Sequence, residues 1–324
     1  MVVTMSICIC NISALEVYRA SGRLLPNLLA LPRTSKLDAC RIMPAAAIQD
    51  DMDRMGTSTR PYHLLVGSDA ARHQADDVVC HVQSATIPAR SFLVVSKSIM
   101  LAAPPLLFWE LAANPNIDVI ELATIGFELC GTYVLDSSWD GLTNTGCSIT
   151  DTTRIGRMLE AVTHRHGSAR AREALSYVLD NSNSPMETVL ALLLTLPRRH
   201  GGLGLTGLKM NRRVQTPAGT RHVDLLFPEL NIGLEYKGKE YHSIEQSGRD
   251  DRRQNNIVGS GVSILNVWFE DLCQPHLFQQ LIQDFSRAAG IRLRIRDASF
   301  EQRQRLLLAR LMPSIKRYGN LGAQ

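Results

Sequence analysis

The stretch that most limits what this chain can fold into is His222-Val-Asp-Leu-Leu-Phe-Pro-Glu-Leu-Asn-Ile-Gly-Leu-Glu-Tyr-Lys237. Pro228 to Asn231 is a turn signal between two alternating runs. A hairpin centred there pairs residues whose numbers sum to 459, whether its loop has two or four residues. Val223, Leu225 and Phe227 then share one face with Ile232, Leu234 and Tyr236, and that apolar face can pack on a helix. His222, Asp224, Glu235 and Lys237 leave on the other face, with Asp224 opposite Glu235. Cross-strand Cβ atoms lie about 4.5 to 5.5 Å apart, so two acids placed there repel and the repulsion needs an offset. A hard divalent cation supplies one, because one or two carboxylates with water and phosphate are ordinary surroundings for Mg²⁺. Lys237 adds a positive point charge on the same face. The spacing fits equally an exposed hairpin of mixed charge in which Lys237 merely neutralises the acids.

The flanks extend the pattern. A helix is expected from Pro185 to Leu196, then a glycine-rich turn, GGLGLTG, then β-runs at Lys209 to Gln215, His222 to Phe227 and Ile232 to Lys237. A polar helix from about Gly248 to Val258 and a buried-type strand from Val262 to Trp268 complete an α-β-β-β-α-β order. GGLGLTG lacks the GK[ST] ending of a phosphate loop and leads into a strand, so no nucleotide cofactor is expected. Ser184-Pro185-Met186-Glu187 has capping-box spacing, which gives Glu187 a structural use.

Together, Ser184-Pro-Met-Glu187, Arg221-His-Val-Asp224, Gly233-Leu-Glu-Tyr-Lys-Gly238, Tyr241-His242 and Arg249-Asp-Asp-Arg-Arg253 ahead of Gly261-Val-Ser-Ile-Leu265 resemble the PD-(D/E)XK nuclease superfamily. The similarity is to its very-short-patch-repair-like endonuclease branch, over roughly residues 180 to 275. The resemblance implies an α/β, restriction-endonuclease-like core with a mixed sheet flanked by helices. It implies that Asp224 and Glu235 hold Mg²⁺, with Mn²⁺ able to substitute, and that Lys237 orients the attacking water. Relatives in this branch place an aspartate where Lys237 stands, so the chain is closer here to the wider superfamily pattern. Glu187 is the counterpart of a further metal-directed or water-positioning carboxylate; His242, just beyond the strand, is placed either as an acid or base near the scissile phosphate or as a satisfied structural histidine. Arg213, Arg249, Arg252, Arg253 and Gln254 are assigned to nucleic acid. For the three helix arginines an ordinary surface network with Asp250 and Asp251 stays open.

Outside this region the sequence is less specific. Residues 1 to 183 carry 15 Lys/Arg and 18 Asp/Glu, net −3, while residues 184 to 324 carry 20 and 13, net +7. The second part suits a polyanion, and also a solvated basic surface. Arg292, Arg294 and Arg296 alternate as in a strand and precede a helix bearing Arg303, Arg305, Arg310, Lys316 and Arg317, a set that fits a nucleic-acid backbone. The seven cysteines are scattered without CxxC pairs, and no apolar run reaches membrane-spanning length, which points to a cytoplasmic protein with no membrane partner. His164 and His166 stand apart from other ligand types, so no metal is expected there.

The expected organisation is a smaller mixed α/β recognition or regulatory region over 1–135, a linker and helical connector over 136–183, the nuclease-like core over 184–275 and a basic helical extension over 276–324. Residues 50 to 61, polar and broken by Gly56 and Pro61, are expected as a linker within the first region. Ser13-Ala-Leu-Glu-Val-Tyr-Arg19 and Glu121-Leu-Ala…Glu128-Leu-Cys-Gly131 resemble, faintly, regulator-like regions of abortive-infection (AbiE-type) antitoxins. That implies a regulatory module, a regulatory protein partner and a defence or toxin-antitoxin setting. The expected function is a Mg²⁺-dependent endonuclease hydrolysing DNA. The alternatives are a catalytically inactive DNA-binding regulator that retains the fold and a protein-interaction component of a defence system.

Overall fold

The computed structural model describes residues 6–83, 86–136, 141–216, 219–237, 261–295 and 297–319, without the side chains of 136, 216, 219 and 312–319. The chain divides into two compact units, Met1–Ser137 with Thr143–Val178, and Ser138–Leu142 with Leu179–Gln324. It is mixed α/β, with mixed sheets flanked by helices.

In the first unit, β1 (Ile7–Ile9), β2 (Arg33–Thr34), β3 (Tyr62–Val66), β4 (Val78–Val82), β5 (Phe92–Val94) and β6 (Ile99–Ala102) form one sheet. Its order is β2-β5-β6-β1-β3-β4, with β1 parallel to β6 and β3 parallel to β4. Helices α1 (Asn11–Ser21), α2 (Leu25–Leu29), α3 (Ala45–Arg54), α4 (Pro104–Ala113), α5 (Val119–Cys130), α6 (Thr152–Ala161) and α7 (Ser168–Leu175) accompany it. Two prolines open α4, where their missing N–H groups cost nothing, and Asp118 caps α5 by accepting the Ile120 and Glu121 amides. The two segments quoted for the antitoxin-like resemblance meet through Arg19, which donates Nε and Nη2 to the two oxygens of Glu128 at 2.9 and 2.7 Å. Glu128 also accepts the Leu135 amide, so this buried acid is paired rather than isolated.

The expectation of a linker over 50–61 is corrected by α3, which runs through Arg54. Ala45, Ile48 and Met52 recur at helical spacing and are buried, and their burial outweighs the polar look of Asp50 to Arg54. The strands β1 and β6 lack alternation because both of their faces are covered, which hides them from a search for period two. Tyr133–Asp136 (β7) and Gly141–Asn144 (β8) form a separate two-stranded sheet.

The second unit contains α8 (Pro185–Thr195), β9 (Lys209–Thr216), β10 (Gly219–Phe227), β11 (Ile232–Lys237), β12 (Ser263–Trp268), α9 (Phe269–Cys273), α10 (Pro275–Ala288) and α11 (Phe300–Gly319). The sheet order is β12-β11-β10-β9; the two hairpins are antiparallel and β11 runs parallel to β12. Val223, Leu225, Phe227, Ile232 and Leu234 are buried, and Phe227 meets Phe285 of α10 edge-on, with ring centroids 5.4 Å apart. Every residue of α8 from Pro185 to Leu194 is buried, consistent with its being apolar on nearly all sides. GGLGLTG is a turn into β9 in which Gly201, Gly204 and Gly207 take positive φ. Residues 291–295 form no strand, so the alternation of Arg292 and Arg294 does not mark a β-segment; Arg296 lies outside the described residues. Arg303, Arg305, Arg310, Lys316 and Arg317 all lie on α11, which extends to Gly319.

Candidate functional site

The ladder of β10 and β11 pairs Leu225 with Leu234, Leu226 with Gly233 and Phe227 with Ile232, each pair summing to 459. One step further the pairing changes character. Asp224 Oδ2, a side-chain oxygen, accepts the Tyr236 N–H at 3.0 Å. Asp224 and Glu235 are therefore not a ladder pair; the aspartate reaches the backbone of β11 between Glu235 and Lys237. Those two residues, two apart on the strand, leave on one side, and Lys237 Nζ donates to Glu235 Oε2 at 2.9 Å. The pair is largely withdrawn from solvent, with side-chain exposures of 15% for Lys237 and 4% for Glu235.

Glu187 joins this group from α8. Ser184 Oγ caps the helix by accepting the Glu187 amide at 3.2 Å and donates to Glu187 Oε1 at 3.1 Å. Glu187 Oε2 accepts the Asn183 amide at 3.0 Å, so the backbone N–H it takes up is that of the residue before the cap. Burial, and then the nearby Asp224 charge, push the Glu187 carboxyl up to about 7 against the downward pull of these hydrogen bonds. Glu187 thus helps to fix the start of α8 and at the same time lies close enough to Asp224 to feel its charge.

Asn211 was not identified from the sequence. The β9–β10 ladder sums to 435 and skips the position where Asn211 would face Asp224, and Asn211 has φ 45°. From this left-handed conformation its amide donates to Glu187 Oε2 at 2.6 Å and to the Asn181 carbonyl at 2.8 Å. The one signal in the sequence is an asparagine inside a β-run, where that residue type is depleted.

Arg213 is exposed on β9, paired in register with His222 of β10. His242, Arg249, Arg252, Arg253, Gln254 and the polar helix expected around them lie outside the described residues. Among the described residues no group of three or more His, Cys, Asp or Glu side chains is disposed to hold a metal ion, and no helix is long and apolar enough to cross a membrane.

The donor set nevertheless has the chemistry a hard cation needs. Asp224 and Glu235 offer oxygen ligands on adjacent strands, and the proximity of Asp224 to Glu187 leaves negative charge that a cation would relieve. No family model matches the chain, and neither a curated protein nor a solved structure matches it.

Proposed function

We propose that the second unit is a divalent-metal-dependent endonuclease that hydrolyses DNA phosphodiester bonds on a restriction-endonuclease-like core. The observation that carries this reading is the 3.0 Å hydrogen bond from the Tyr236 amide to Asp224, which brings one acid to the strand position flanked by Glu235 and Lys237. Asp224 and Glu235 would hold Mg²⁺ or Mn²⁺, which when bound supplies Lewis-acid polarisation of a phosphate oxygen.

The chain's own residues account for the rest. The Tyr236 amide fixes one lone pair of Asp224 and so aims the other oxygen. Lys237, held beside Glu235, keeps an ammonium where negative charge grows as the phosphate is attacked. With its carboxyl raised to about 7, Glu187 is suited to exchanging a proton near neutral pH. Exposed Arg213 on β9 is suited to a phosphate of the DNA backbone.

The test is cleavage of supercoiled plasmid in Mg²⁺ by the full chain beside Asp224→Asn and Asp224→Ala. Asparagine keeps an acceptor for the Tyr236 amide, whereas alanine strands that amide at about 1 to 3 kcal/mol. The expected result is that Asp224→Asn melts like the parent yet cleaves at least about 100-fold more slowly, while Asp224→Ala is also less stable. DNA binding without cleavage by the parent protein would instead identify a non-catalytic regulator.

A further inference from the structure

The first unit holds a cavity of about 650 Å³, within the size range of small-molecule sites. Its floor is one face of the parallel pair β3 and β4: His63 registers with Val79 and Leu65 with His81, so these four side chains emerge together. Trp109 and Glu110 of α4 and the start of α1 also line it.

Two features of this cavity are only partly used by the fold. The first is Glu110. Its Oε2 accepts the Asn11 amide at 3.1 Å, while Oε1 is buried at the wall with no hydrogen-bond partner. Asn11 takes φ 49°, an uncommon conformation for a residue other than glycine, and its side chain donates to the Glu110 carbonyl at 3.1 Å. Backbone strain is thus retained where the acid is held. The second feature is the histidine pair. His63 Nδ1 and His81 Nε2 lie 2.8 Å apart in nearly parallel rings, so one proton is shared between them and each ring keeps its other nitrogen for a further bond.

Charge selects the class of ligand. Burial pushes the Glu110 carboxyl up to about 8, and burial holds both imidazoles below their ordinary range, His81 at about 4. Near neutral pH the interior is therefore mostly uncharged. Arg60 at the rim is already engaged by Asp77 at 3.0 Å, so among the described residues no cluster of cations awaits a phosphate. Flat rings, a carboxyl that can donate or accept, and two neutral imidazoles match a flat molecule with N–H donors and ring-nitrogen acceptors. A small turn about the soft terminal torsion of Glu110 presents Oε1 to it.

We propose that this cavity binds an uncharged, planar nitrogen heterocycle of nucleobase or nucleoside size, held by Glu110 and the His63–His81 pair. The site is independent of the acids in the second unit. Isothermal titration of the full chain with adenosine, guanosine, cytidine and uridine, and with benzamidine as a planar cation, tests it. At least one nucleoside is expected to bind one-to-one with Kd below about 1 mM, and Glu110→Gln to weaken it by about tenfold or more without lowering the melting temperature. Val79→Trp, which fills the floor and leaves Glu110 in place, should abolish binding. Failure of all four nucleosides, binding of benzamidine alone, or binding unchanged by either substitution overturns the proposal.

Discussion

Glu187 concentrates the electrostatic cost of the candidate site in one side chain. Its carboxyl titrates near 7 in the fold and near the ordinary 4.5 when unfolded, because burial and Asp224 disfavour the charged form. The folded state therefore binds this proton more tightly. The resulting stabilisation is full below about 4.5 and is lost as pH rises through about 7. Glu187→Gln, which keeps an acceptor for the Asn183 and Asn211 donors, should remove that slope. In urea melts with EDTA, the parent should lose up to about 3 kcal/mol relative to the variant between pH 4.5 and pH 7.5. A constant difference across that range would show that Glu187 is charged in the fold at all these pH values.

At the level of elements, the join between the glycine-rich turn and α11 is set by contact of backbone with backbone. A Cβ on Gly201 would lie 2.4 Å from the Arg303 carbonyl oxygen at φ 93°, whereas one on Gly204, at φ 69°, would meet nothing closer than 4.0 Å. Gly204→Ala should cost about 1 kcal/mol for its left-handed backbone, and Gly201→Ala about 2 to 4 kcal/mol. Equal losses in denaturant melts would mean that α11 yields freely there. These elements differ in how plainly the sequence announced them. The β10–β11 hairpin was readable down to its register because two alternating runs flank a strong turn, and α8 because Ser184 and Pro185 mark its start. Others were weakly marked: α3 hides a three-residue apolar stripe among acids, β1 and β6 do not alternate, and Asn211, an asparagine inside a β-run, acquires its role only when β9 meets α8. The Glu110 cavity was silent, since its walls come from residues about a hundred positions apart.

Over the whole molecule, positive charge is gathered after residue 183, where the net is +7 against −3 before it. Neutralising phosphates releases counterions, so a DNA-binding function predicts affinity that falls at least tenfold between about 50 and 200 mM salt. Arg213→Ala should lower the slope of log affinity against log salt by about one. Affinity independent of salt would remove nucleic acid as the partner of this surface.

The bond from the Tyr236 amide to Asp224 has a further implication. Because a carboxylate oxygen stands in for a strand carbonyl, slipping β10 past β11 by one place would part Asp224 from Glu235 and Lys237 as surely as it would misalign the hairpin. Under the proposed function, strand alignment and chemistry would rest on the same bond.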